Sequence, residues 1–289
     1  MKLDARSATL ALVLLGTACT PSSRDPMPKT DAAPGAVERA RSGPGILLEE
    51  LTWVEAEKVL TPDRVVVIPL GAASKEHGPH LLLKNDWTLA EYFKRRVAER
   101  ADVVIAPTVG YSFYPAFLEY PGSVSLRLEI ATGLVVDIVK SLARFGPRRF
   151  YVLNTGVSTL KALRPAQEQL AADGILLGYT NLLQATGPLE KEISQQEGGT
   201  HADEIETSMM LVIDPAHVDM SKAVKDYHPD KGDFTRDPDA GTGTYSPTGI
   251  WGDPTLATRE KGQRVVEALV AALLHDIANL RGAPLPPRP

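Results

Sequence analysis

Hydrophobic positions change period along this chain in a regular way. Residues 64–70 form a continuous apolar run, Val65-Val66-Val67-Ile68-Pro69-Leu70. A run of strand length without polar alternation predicts a strand buried on both faces. Residues 86–98 then switch to helical spacing at Leu89, Phe93 and Val97. A second strand is predicted over 101–106, a third over 149–153 and a fourth over 175–179. Between them, 132–145 carries Leu134, Val135, Ile138, Val139 and Leu142 on one helical stripe, stopped by Gly146-Pro147. Helices are also predicted over 160–172, ended by Asp173-Gly174, and over 202–213, ended near Pro215. A long amphipathic helix through Val265, Val266, Leu269, Val270, Leu273, Leu274 and Ile277 covers 260–280. Residues 46–58 read as a lead-in and a helix. Strands alternating with helices predict βαβ units, hence an α/β domain with a mostly parallel central sheet covered on both faces.

Three segments break the pattern. Residues 20–45 and 282–289 are rich in Pro with few large apolar groups, and read as a disordered linker and an unstructured tail around a domain at 46–281. Residues 229–256 are dominated by Asp, Gly, Pro and Thr. A loop of that length inside a compact domain is usually functional, and we expect it over the site or against a neighbouring subunit.

The amino terminus adds a destination. Lys2 and Arg6 precede an apolar stretch from Ala8 to Leu15, followed by Gly16-Thr17-Ala18-Cys19. This is the order of a secretory signal with small residues before the cut. The single cysteine of the chain, Cys19, follows them directly, as in a bacterial lipobox, although Gly16 stands where an aliphatic residue is commoner. Residues 1–19 therefore predict export and lipid attachment at Cys19, giving a periplasmic or cell-envelope lipoprotein. The plainer alternative is a signal cut after Ala18 with an unmodified cysteine. An internal disulfide is excluded by the single cysteine.

Composition narrows the picture less. Of 289 residues, 43% are hydrophobic and 23% charged, as in an ordinary globular protein. The formal net charge of −5, with no basic cluster interleaved with aromatics, gives no case for nucleic-acid binding.

Chemistry concentrates in two places. Glu76-His77-Gly78-Pro79-His80-Leu81, followed by Asp86, comes directly after the first strand. Imidazole nitrogen and carboxylate oxygen are donors favoured by Zn²⁺, Mn²⁺ and Fe²⁺. A strand end in an α/β sheet is also where ligands usually bind. The second concentration is Gly198-Gly199-Thr200-His201-Ala202-Asp203-Glu204-Ile205-Glu206-Thr207-Ser208. Its acids also suit a helix start, with Thr200 as the N-cap. His201 and Glu206 converge only if His201 lies in the loop before the regular turns. Trp251, in Gly249-Ile250-Trp251-Gly252-Asp253-Pro254, is the tryptophan best placed to line a pocket.

Together these motifs resemble those of the creatininase (creatinine amidohydrolase) family. Glu-His-Gly-Pro-His-Leu with Asp86 is similar to its first metal motif, and His201 to Ser208 match its His-Ala-x-Glu-x-Glu-Thr-Ser. Tyr120-Pro121-Gly122-Ser123 resembles its Phe-Pro-Gly-Thr segment. Gly252-Asp253-Pro254-Thr255-Leu256-Ala257-Thr258, with Glu260-Lys261-Gly262, resembles its carboxyl-terminal signature. The resemblance implies a three-layer α/β/α sandwich, assembly into homo-oligomers such as hexamers, and divalent-metal hydrolysis of C–N bonds in small, often cyclic, amides.

Carried over by position, the resemblance implies metal binding by His77 and Asp86, with Glu76 and Glu206 as further ligands. His201 is implied as the proton shuttle, and Glu206 shares the catalytic role. His80, Asn154 and Trp251 are expected at the substrate pocket. Two positions depart from the pattern. Lys75 stands where the family has a glutamate, and Gly156, within Asn154-Thr155-Gly156-Val157-Ser158, where it has a metal-binding histidine. Ser158 replaces the carboxylate that creatininase itself uses. We therefore expect one metal per chain (Zn, Mn or Fe) and a substrate other than creatinine. The alternative is a catalytically degenerate binding or scaffold lipoprotein with the same fold.

Overall fold

A computed structural model describes residues 43–288. The expectations placed on 1–42, including the signal, Cys19 and most of the linker, lie outside the described residues.

Five strands form one parallel sheet: β1 (Ile46–Leu47), β2 (Val65–Leu70), β3 (Val104–Ile105), β4 (Arg149–Asn154) and β5 (Leu176–Tyr179). Their spatial order is β1-β3-β2-β4-β5. The chain moves outward from β2 to β3 and then returns to the other side of β2 at β4. That reversal makes the carboxyl ends of β2 and β4 a topological switch point, where α/β sheets open a crevice. β2 and β4 pair along their whole length, from Val65 opposite Arg149 to Leu70 opposite Asn154.

Because side chains alternate across a strand, the apolar run of β2 feeds two cores at once. Val65 and Val67 face one way, against α2 (Asn85–Ala98), α7 (Glu204–Ile213) and α8 (Arg259–Gly282). Val66, Ile68 and Leu70 face the other, against α1 (Trp53–Val59), α3 (Leu128–Ala143) and α4 (Leu160–Ala172). The result is the expected three-layer α/β/α sandwich. Short helices α5 (Leu182–Ala185) and α6 (Gly187–Ile193) follow β5. No helix of the described residues is long and apolar enough to cross a membrane.

The structure departs from the periodicity at a few places. β1 is a strand where only a lead-in was legible. Two residues long, it carries no period to read, and it is set by pairing with β3. Helix α3 starts at Leu128, four residues before its apolar stripe, and its first turn exposes Leu128 and Ile130. The long segment 229–256 contains a two-stranded pair, β6 (Phe234–Thr235) with β7 (Thr244–Tyr245). The segment after α8 has no helix or strand, and its carbonyls accept hydrogen bonds, Arg149 to Ala283 at 2.9 Å and Arg148 to Pro286 at 3.1 Å.

Candidate active site

The loop leaving β2 delivers Lys75, Glu76 and His77, and the first turn of α2 returns Asn85 and Asp86 beside them. Asp86 is buried to 1% exposure and His77 likewise. The Nδ1 of His77 lies 2.9 Å from the Lys75 carbonyl, so it carries the proton and donates it there. The Nε2 is left with a lone pair. It faces Asp86 Oδ1 at 2.9 Å and Glu206 Oε1 at 3.4 Å. Three acceptors pointed at one another repel unless a proton or a cation stands among them.

Glu206 comes from α7, and His201 from the turn before it. The helix begins at Glu204, so His201 does lie ahead of the regular turns, as convergence required. Ala202 has φ +48, the one positive value outside glycine among the described residues. That backbone bend turns the Ala202 N–H onto Glu206 Oε2 at 2.7 Å and leaves His201 facing the same carboxylate. The cap is Asp203, whose Oδ1 accepts from the N–H groups of Ile205 and Glu206, and not Thr200. His201 Nε2 lies 3.0 Å from the Glu76 carbonyl and 3.1 Å from Glu76 Oε2. Donating there leaves its Nδ1 free to face Glu206 Oε2 at 3.9 Å.

One donor atom each from His77, His201 and Glu206 thus falls within a 4.8 Å group. Two imidazoles with a carboxylate are the donor set of a three-ligand metal site that keeps a position open. Each imidazole is oriented by a partner on its far nitrogen, as ligating histidines normally are. The residues fit a divalent metal.

Electrostatics follows the same grouping. Burial and the Lys75 ammonium both push His77 down, but Asp86 and Glu206 outweigh them and its pKa is raised. Burial alone would raise Asp86, yet Lys75 and then His77 hold its carboxyl far below the usual range. Burial drives His80 down to about 4. It also pushes Asp203 up to about 7, against the backbone N–H of Glu206 and the Gln196 amide.

A pocket of about 360 Å³ opens on this group, lined among others by Lys75, Phe117, His201, Glu206, Phe234 and Trp251. Trp251 is on the wall as expected, bridged antiparallel to His201. Two residues expected on the wall stand behind it. His80 is buried with Nε2 on Thr207 Oγ1 at 2.8 Å, which ties the first motif to α7. Asn154 is used up in holding its own loop, through Gly156, Thr159 and Thr180. Glu76, expected as a ligand, accepts from the Gly78 N–H and from His201 Nε2 and stands outside the convergent donor group. Gly249 makes room for it: at φ +82, a Cβ there would sit 2.1 Å from Glu76 Cδ.

Sequence reasoning missed the aromatic wall. The Phe117 ring is 4.4 Å and the Phe234 ring 5.7 Å from the His201 ring. Phe234 lies in the irregular segment 229–256, which was the available signal. Phe117 gave none.

Parallel sandwich and clustered donors define a class, the α/β/α proteins with a metal-type site at the strand ends. The family profile of creatinine amidohydrolase matches residues 49–277, and the chain belongs to this creatininase family. It is 28% identical over 260 residues to the creatinine amidohydrolase of Pseudomonas putida, covering 80% of this chain and 96% of that one. It is 30% identical over 213 residues to the mycofactocin precursor peptide peptidase of Mycolicibacterium smegmatis, covering 71% and 81%. A crystal structure of creatininase superposes with TM-score 0.67 at 27% identity, over 82% of this chain and 98% of the other. A manganese form of creatininase gives TM-score 0.65 at 27% identity, over 81% and 97%.

Proposed function

We propose that this protein is a hydrolase that cleaves a C–N bond of a small, non-peptide amide at a single divalent metal. The observation that carries the reading is the convergence of His77, His201 and Glu206 within 4.8 Å. His77, His201 and Glu206 would hold the ion. Such an ion, when bound, polarises an amide carbonyl and makes water acidic enough to serve as nucleophile near neutral pH. The residues around it do the rest. Glu206 spans both imidazoles with its two oxygens, so one can hold the ion while the other takes the proton from the attacking water and gives it to the leaving nitrogen. His201, expected as the shuttle, has Nε2 on Glu76 and Nδ1 turned to the donor group, and is left as a ligand. Glu76 fixes the His201 ring by accepting from Nε2. Phe117, Phe234 and Trp251 keep the pocket apolar around the amide. Relatives named as an amidohydrolase and a peptidase support C–N bond hydrolysis, and the first of them supports a small non-peptide amide.

A second ion lacks donors. The Asp86 oxygen turned away from His77 is taken by Lys75 at 2.7 Å, and Gly156 has no side chain to offer. Creatinine itself is disfavoured as substrate, since the family's histidine and carboxylate are replaced by Gly156 and Ser158. The amino-terminal pattern supports export and anchoring through Cys19. The exposed apolar side chains Tyr111, Leu118, Val124, Leu128 and Ile130 support assembly with further copies of the chain.

Elemental analysis of the full chain after loading with Zn²⁺ or Mn²⁺ and mild washing tests the metal. One equivalent is expected, lost in His77→Ala and Glu206→Ala. Less than about a tenth of an equivalent would sink the reading, and one firmly bound ion without turnover on a panel of cyclic amides would favour a binding protein.

A further inference from the structure

Lys75 puts a cation inside a pocket whose other chemistry is that of a metal site. Its Nζ lies 2.7 Å from Asp86 Oδ2, and its side chain is only 6% exposed. The pairing is ionic and off the line of a straight hydrogen bond, since that oxygen receives no aligned donor. The other close neighbours of the ammonium are ring faces, Phe117 at 4.7 Å and Tyr114 at 5.6 Å from their centroids. Rings stabilise the charge but take no strong hydrogen bond, and an ammonium has three N–H groups to place. Lys75 Nζ is not among the fully enclosed unpartnered atoms, so its remaining N–H groups open on the pocket, where an acceptor can reach them.

The acceptor must come through the pocket, which Lys75 lines together with Gly156, Ser158 and Lys161. This stretch of wall runs into the amino-terminal end of α4, a helix of 13 residues, whose dipole adds positive potential. The acid beside Lys75, Asp86, is ion-paired with it, and the other carboxylates of the pocket, Glu190, Asp203, Glu206 and Asp233, come from other segments of the wall. Asp86 also separates two stations, with Oδ1 turned to His77 and Oδ2 to Lys75. A group held by Lys75 is therefore not the group held among His77, His201 and Glu206.

We propose that Lys75 is an anion-binding residue of the pocket, holding a carboxylate that the substrate carries apart from its reacting amide. The substrate class becomes an acidic amide. The inference rests on the amide reading for the identity of the reacting group, but not for the carboxylate itself.

The test compares two probes on the metal-free full-length protein by titration calorimetry. Succinamate has one carboxylate and one amide, and succinamide has two amides. Wild type should bind succinamate about tenfold more tightly. Lys75→Met should abolish that preference, and Lys75→Arg should retain most of it. Should Lys75→Met not fold, Lys75→Met with Asp86→Asn removes both charges and carries the same comparison. Equal binding of the two probes by wild type, undetectable binding of both included, overturns the proposal, as does a preference that survives loss of the ammonium. Metal content, measured on separately loaded samples, judges the hydrolase reading alone, so the two fail independently.

Discussion

Glu76 reaches His201 twice, with its main-chain oxygen 3.0 Å and its Oε2 3.1 Å from the same nitrogen. That double contact fixes which nitrogen of His201 keeps the lone pair. Glu76→Gln should weaken metal affinity by about tenfold and Glu76→Ala by up to about a hundredfold, the usual range for a partner that orients a ligating histidine. Competition against a chromophoric chelator measures it. Wild-type affinity in Glu76→Ala would show that the contact orients nothing.

His80 gives the fold an acid limb. Its pKa is brought down to about 4 in the folded chain from 6.5. Between those values the unfolded chain holds a proton that the folded one refuses. The stability is present above pH 6.5 and is lost as pH falls toward 4, by at most about 3 kcal/mol. Urea midpoints of the metal-free protein across this window should flatten in His80→Gln. An unchanged slope would place the acid sensitivity elsewhere.

Gly249→Ala should damage the site more than the fold. The new methyl would fall 2.1 Å from Glu76 Cδ, so the carboxylate must move off His201. With the positive φ, we expect a loss of about 1–3 kcal/mol in stability, together with the drop in metal affinity of Glu76→Gln or more. Affinity equal to wild type would contradict the packing.

Gly262→Ala should act on the layers. Its Cβ would lie 1.8 Å from the Ser208 carbonyl oxygen, where α8 crosses α7 backbone to backbone. A destabilisation of about 2–3 kcal/mol is expected, read as a lower urea midpoint at unchanged slope. Glu206 rides on α7, so metal affinity should fall with it. A neutral substitution would mean that the two helices separate without cost.

Most of the sheet was legible because β2 and its neighbours are buried on both faces and show it as unbroken apolar runs. Element ends were less so: the cap at Asp203 rests on side-chain hydrogen bonds that periodicity does not record, and α3 starts early, without a side-chain cap, through a turn whose apolar residues are exposed. At the site, the two motifs were visible, but their relation was not. Whether Glu76 or His201 stands beside Glu206 is decided by the bend at Ala202 and the space left by Gly249, both of them backbone conformations. His80 and Asn154 look like pocket residues by type. Their buried partners, Thr207 and Thr180, come from elements that only the fold brings near.

The bridge between His201 and Trp251 carries a consequence for how this protein can change. One backbone pairing sets both a donor and a wall of the pocket, so Trp251 is not free to vary with the substrate. Divergence toward new substrates should instead accumulate at Val157 and Ser158, which border the same space without packing on the donor histidines. Adaptability thus falls to the loop after β4 and chemistry to the turn before α7, and a library built on Val157 and Ser158 should keep its metal while it changes its diet.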